Sequence, residues 1–146
     1  INHPAWRDIQ LPKGIGISDQ GEGDLGARLA LASERALANT EQILLIGTDC
    51  VEISGGLLRE AAQALQEHDA VIHCTADGGY ALLGLRRFSP FLFSDMPWST
   101  DAVANTTIAR IGQLGWSVRV GQMLHDVDEP EDLKYLPDQW RLRVKA

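Results

Sequence analysis

The feature that most constrains this chain is a short apolar run, Ile43–Ile46, closed by Gly47. Its hydrophobicity is continuous rather than alternating. That pattern marks a strand buried on both faces, as in a parallel sheet with helices above and below. The rest of the sequence supplies such layers. Over Asp24–Asn39, Leu25, Leu29, Ala32 and Ala36 recur at four- and three-residue steps, and Asp24 is placed to cap the helix they predict. Ser54 caps a second helix, with Leu58, Ala61, Ala62 and Leu65 turned inward. Further strands are predicted at Ala70–Cys74, Gly79–Leu85 and Trp116–Val120. A third helix, capped by Ser99 or Thr100, aligns Val103, Thr107, Ile111 and Leu114 and stops at Gly115. A last short helix is predicted to open at Asp128, with Pro130 in its first turn, and Pro137 ends it. Residues 1–23 read as an irregular surface segment with one short strand around Gly14–Ser18, and residues 138–146 as an amphipathic tail. Strands alternating with helices predict a three-layer α/β domain around a mostly parallel sheet. In such sheets ligands bind beyond the carboxyl ends of the strands.

Length and charge narrow the function. The 146 residues fit one domain, residues 1–146, with 45% apolar and 23% charged residues. Acids outnumber bases 20 to 13, and Lys and Arg are not clustered, which excludes a nucleic-acid partner. No apolar run approaches the roughly 20 residues of a membrane span, and no signal peptide opens the chain. Cys50 and Cys74 are too far apart for a CxxC pair and read as buried free thiols of a cytoplasmic protein. An acidic protein can still bind a nucleotide when a metal or backbone N–H groups carry the phosphate. The chain opens on Ile1 rather than Met, so further residues are expected upstream.

Five segments could carry chemistry. Asp49 follows the first apolar strand; a carboxylate there can hold a hard cation or cap its loop. Asp126 and Asp128 are two residues apart, so an extended segment points them the same way; a cation between them would relieve their repulsion, while Asp128 also suits a helix cap. Asp77, Gly78, Gly79 and Tyr80 make either a hairpin turn or a close approach to a ligand. Gln20, Gly21, Gly23, Asp24 and Gly26 lead into a helix whose Arg28 lies one turn in; the segment is a loop or a phosphate cradle. Trp98 packs on the core or lines a pocket. His73 reads as a core histidine, and His125 is the one histidine placed beside an acid of the site.

Taken in order, these segments resemble the glycosyltransferase-like family known as radical-SAM/selenodomain-associated transferase 1. They are more distantly similar to the guanylyltransferases that activate phospholactate. The residues that carry the likeness are Gln20-Gly21-x-Gly23-Asp24-Leu25-Gly26-x-Arg28, Gly47–Cys50, Asp77–Tyr80 with Leu82 and Gly84, Pro97–Thr100, and Asp126–Leu133. The resemblance implies a GT-A-like nucleotide-diphospho-sugar transferase fold. It implies Mg²⁺ or Mn²⁺ held by Asp49 with one or both of Asp126 and Asp128. Asp49, Asp77 and Asp126 would be the catalytic acids. Gln20, Gly21, Gly23, Asp24, Gly26 and Arg28, with Gly78, Gly79, Tyr80 and Trp98, would bind the nucleotide donor and shape the pocket. Val51 stands where the family usually has Pro. The family's first strand–helix unit, with its phosphate-gripping loop, does not precede Ile1, so the domain is expected to be incomplete at its N-terminus.

The implied partners are a nucleotide sugar or a nucleoside triphosphate and a small-molecule acceptor. Attack at the sugar carbon makes a glycosyltransferase. Attack at the α-phosphorus makes a nucleotidyltransferase. A non-catalytic nucleotide-binding or regulatory domain is the third reading, and the oligomeric state stays open.

Overall fold

The computed structural model describes residues 10–140. It is a three-layer α/β arrangement whose four strands and three α-helices alternate except where β3 follows β2 directly: α1 (Leu25–Leu37), β1 (Ile43–Ile46), α2 (Gly55–Ala64), β2 (Ala70–Cys74), β3 (Tyr80–Leu85), α3 (Val103–Gln113) and β4 (Val118–Val120). Short 3-10 turns occupy Pro90–Leu92 and Pro130–Tyr135. The irregular opening is described only from residue 10, and it contains no strand around Gly14–Ser18; Gly14 instead turns at φ +89°. Most of the amphipathic tail lies outside the described residues.

The strand order is β1-β3-β2-β4. β2 and β4 pair in parallel, whereas β3 runs antiparallel to both β1 and β2. Three strands therefore share a direction and one opposes them, so the sheet is mixed. The reason is local. Thr75–Gly79 is a tight turn, with Gly78 N–H donating to Thr75 O (3.1 Å) and Thr75 N–H to Gly79 O (2.9 Å). A turn this short returns the chain beside itself, whereas a parallel partner needs a crossover of about a dozen residues.

The two faces of the sheet carry separate cores. Val71 and Leu82 pack with Leu57, Ala61, Ala64 and Leu65 of the α2 segment. Ile72, Leu83 and Leu85 pack on the other face with Leu29 of α1 and with Ala104 and Ile111 of α3. The inward line of α2 is thus Leu57–Ala61–Ala64, with Leu58 and Ala62 only part-buried beside it. β1 is part-buried rather than enclosed, and Ile46 is 49% exposed, because it has β3 on one side and no described strand on the other.

Caps and stops follow the side chains. Asp24 accepts the Ala27 N–H (2.8 Å) and Ser54 that of Leu57 (3.2 Å). α3 begins later than its sequence suggests: Thr100 Oγ1 accepts from Ala102 N–H (3.3 Å), and the helix opens at Val103 with no side-chain cap. Cys50 and Cys74 are free thiols, Cys50 buried as expected and Cys74, at the end of β2, only part-buried. His73 is buried, and its Nδ1 donates to Gln122 O at 2.8 Å. Among the described residues no helix is long and apolar enough to cross a membrane.

Gly84 shows how tightly the first core is filled. A Cβ there would lie 2.5 Å from Val71 Cγ1 and 2.9 Å from Leu44 Cδ2. Overpacking of this kind costs about 2 kcal/mol. Gly84→Ala is expected to lose that much unfolding free energy in urea; an unchanged midpoint would mean the core has slack.

Candidate functional site

β1, β2 and β4 end on the same side of the sheet, and two loops meet there. The first leaves β1 through Gly47, whose N–H donates to Ala81 O at 2.9 Å. The second follows β4. Leu124 N–H donates to Cys74 O (2.8 Å), and Thr75 and Leu124 form a parallel bridge, so the chain is drawn back beside β2. Val127 N–H then donates to Asp49 O at 3.1 Å and ties the loops together. Glu52 adds a second tie: its Oε1 accepts both the backbone N–H (2.7 Å) and the Nδ1–H (2.9 Å) of His125. The His125 ring stacks on Tyr135, with centroids 4.1 Å apart.

These ties bring one carboxylate oxygen each from Asp49, Asp126 and Asp128 within 4.8 Å of one another. Asp49 and Asp128 are exposed and Asp126 is half-buried. The Asp126 carboxyl is pushed up to about 6, first by burial and then by the negative charges of Asp49, Asp77, Asp128 and Asp132. Asp128 is not the cap of the following turn. Asp132 accepts the N–H groups of Asp128 (3.2 Å) and Glu129 (3.0 Å), and the 3-10 turn starts at Pro130. The Asp128 side chain is thus left to face Asp49 and Asp126. All three donors are hard oxygens, the set that suits Mg²⁺ or Mn²⁺. Cys50 lies buried nearby with its thiol pushed up, chiefly by desolvation, so it stays neutral and offers no competing thiolate.

A cleft of about 610 Å³ opens beside the three carboxylates, and Asp126 belongs to both. Leu25, Leu29 and Ile46 form an apolar wall; Tyr80 and Trp98 add aromatic surface. Asp77 lines the cleft and is held below the usual carboxylate range by the Thr75 hydroxyl (2.5 Å) and then the Gly79 N–H (3.1 Å). The Tyr80 hydroxyl is buried with no partner among the described residues, and burial pushes its pKa up. Gly79 lines the cleft, whereas Gly78 packs against the Asp101 backbone. At φ +92°, a Cβ on Gly78 would stand 2.2 Å from Asp101 O.

The glycine segment before α1 lies differently from the acids. Asp24 caps the helix, Gln20 is exposed, and Gly21 and Gly23 turn at φ +78° and +98°. Gly26 is buried so closely under the loop that a Cβ would meet Phe93 O at 2.2 Å. Arg28 is half-buried, with Nε enclosed. None of these six residues lines the cleft; from this stretch Leu25 does.

Two participants were not singled out by the sequence. Glu52 acts across 73 residues on His125, and nothing in its local sequence marks it. Asp101 lines the cleft because α3 starts two residues beyond it. A cap at Ser99 or Thr100 would put Asp101 inside the helix; the later start at Val103 leaves it outside.

Comparison with known proteins bears on the fold and the family. No curated protein matches the chain. Among solved structures it is similar to a "putative nucleotide-diphospho-sugar transferase" from Desulfovibrio desulfuricans G20, with a TM-score of 0.71 and 30% identity. The match covers 75% of this chain and 48% of that one, so the chain spans about half the length of that protein. The likeness bears out the α/β, GT-A-like fold. Residues 2–100 match a family described as "Uncharacterized protein conserved in bacteria (DUF2064)". That stretch is about two-thirds of the chain and holds Asp49, Asp77 and Trp98, while Asp126 and Asp128 lie beyond it. The chain belongs to the DUF2064 family.

Proposed function

We propose that this chain carries the site of a metal-dependent transferase that moves a sugar from a nucleotide-activated donor to a small-molecule acceptor. The observation that carries the reading is the continuity of the acidic triad with the cleft through Asp126. A triad alone would be a cation site, and a cleft alone a pocket. Joined, they offer a metal end and an organic end to one ligand. The solved relative supports the same class, since its printed name is that of a nucleotide-diphospho-sugar transferase.

Asp49, Asp126 and Asp128 would hold the ion. When bound, Mg²⁺ or Mn²⁺ supplies positive charge against the donor's phosphates and the departing phosphate. The protein's own residues do the rest. The apolar wall excludes water from one side of the cleft and packs against the uncharged part of a ligand. Asp77, kept ionised by Thr75 and Gly79, accepts a hydrogen bond from a ligand hydroxyl. A carboxylate with a lowered pKa is a poor base, so Asp77 orients that hydroxyl rather than taking its proton. Nucleotidyl transfer to a phosphorylated acceptor would use the same metal end and differs in its product, pyrophosphate instead of a nucleoside diphosphate.

The test is thermal shift on the full-length protein with nucleotide sugars and nucleoside triphosphates, each with and without Mn²⁺. A donor at a hundredfold excess over its Kd is expected to raise Tm by about 5–10 °C. The rise should require Mn²⁺ and disappear in Asp49→Asn. The products released on turnover then separate sugar from nucleotidyl transfer. If no donor shifts the folded protein, the transferase reading fails and a non-catalytic domain takes its place.

A further inference from the structure

The cleft wall that carries Trp98 has an unfavourable backbone on either side of that residue. Asp95 and Ser99 both sit in the left-handed region, at φ +47° and +62°; no other described non-glycine residue does so. They flank Met96, Pro97 and Trp98, so the segment is a strap with a strained residue at each end. Left-handed conformations are costly for residues with a Cβ and persist only where surrounding contacts over-determine them. Trp98 does not supply that compensation through its polar atom, because its indole Nε1 is buried without an acceptor among the described residues.

Arg110 is placed to supply it at the Asp95 end. From the last turn of α3, its guanidinium donates to three carbonyls at the root of the strap: Phe91 O (2.8 Å), Ser94 O and Asp95 O (3.0 Å). It also lies over the Phe91 ring, 5.0 Å from its centroid. Phe91 O lies within the Pro90–Leu92 turn and the other two carbonyls just beyond it, where Arg110 satisfies acceptors that the turn leaves open. α3 is itself docked at its other end, where Ala104 N–H donates to Gly78 O at 2.9 Å. The helix thus links the β2–β3 turn to the strap, and both border the cleft.

We propose that Arg110 is a positioning residue for the cleft: it holds the Asp95–Ser99 strap in its left-handed pose so that Trp98, Ser99 and Thr100 stand ready as ligand wall. Its effect on donor affinity rests on the transferase reading; its effect on Trp98 does not. Without Arg110 the strained pose loses population, and apparent affinity falls in proportion to the competent fraction.

The experiment uses the full chain with 5-fluorotryptophan, the Trp98 resonance being assigned by its loss in Trp98→Phe. In Arg110→Met without ligand, the Trp98 ¹⁹F line is expected to move towards the solvent-exposed shift while the other tryptophan lines keep their positions. Arg110→Lys should fall between. UDP and GDP, each with Mn²⁺, should bind Arg110→Met about tenfold more weakly than wild type. An unmoved Trp98 line in folded Arg110→Met overturns the positioning role. A moved line with unchanged Kd overturns its effect on affinity. If neither nucleotide binds wild type, the effect on affinity is read with the donor that the thermal-shift panel identifies, and the ligand-free line still decides the placement of Trp98. Should Arg110→Met fail to fold, Arg110→Lys with Asp95→Gly replaces it. Glycine removes the left-handed penalty, so the line should return towards wild type relative to Arg110→Lys alone; no return overturns the proposal.

Discussion

Asp126→Asn is expected to stabilise the metal-free protein and, in the same molecule, to abolish the Mn²⁺-dependent response to a nucleotide donor. The two effects have one cause. Asp126 is half-buried among Asp49, Asp77, Asp128 and Asp132, and its carboxyl is raised to about 6. A carboxyl whose folded pKa exceeds its unfolded value favours the fold while protonated. Its contribution is full below the unfolded value, near 4, and is lost as pH rises through 6. At pH 8 the metal-free fold therefore carries an ionised Asp126 that burial and its neighbours disfavour. Solvent reaches much of the side chain, so the penalty is discounted to about 1 kcal/mol, or about 2–4 °C in Tm. Asn removes it. The gain should be clear in chelator-treated protein at pH 8 and should shrink at pH 4.5. With Mn²⁺ the order reverses, because the variant has lost a ligand oxygen and an anionic charge. A variant no more stable than wild type at pH 8, yet still responsive to donor and Mn²⁺, would remove Asp126 from the centre of the site.

The acids were readable from the sequence for a topological reason. In an α/β sheet the strand ends are where ligands meet the chain, and Ile43–Ile46 and Trp116–Val120 each lead towards an aspartate. Composition and spacing could not show the ties that make the acids converge. The Val127–Asp49 and His125–Glu52 bonds join loops more than seventy residues apart. The sense of β3 was a different matter. Its apolar run reads as a buried strand of either direction, but the short turn from Thr75 to Gly79 leaves only the antiparallel return. The glycines carried the least information. A glycine beside a candidate site permits close approach, yet the pattern does not say to what. For Gly26 the close neighbour is Phe93 O, for Gly78 the Asp101 backbone, and for Gly121 the His73 ring.

Gly78→Ala should therefore be among the most damaging single-methyl substitutions in this chain. Two separate costs meet at that position. At φ +92° an L-residue loses about 1–2 kcal/mol relative to glycine. The new Cβ would also stand 2.2 Å from Asp101 O, 2.4 Å from its Cα and 2.5 Å from its carbonyl carbon, all backbone atoms with no rotamer to change. Relieving that overlap moves either the β2–β3 turn or the start of α3, at about 1–3 kcal/mol more. The sum, about 2–5 kcal/mol, is a large share of the 5–15 kcal/mol typical of a domain. Moving the turn also disturbs function, since Asp77 and Asp101 line the cleft on either side of this contact. The measurement is urea unfolding of Gly78→Ala beside Gly112→Ala. Gly112 lies in α3, and a Cβ there meets nothing within 4 Å. Alanine in that helical position should stabilise by about 0.5–1 kcal/mol. The two variants add the same methyl group and should move in opposite directions. If both move alike, the contact between Gly78 and Asp101 does not hold the turn against α3, and the cleft's shape has another source.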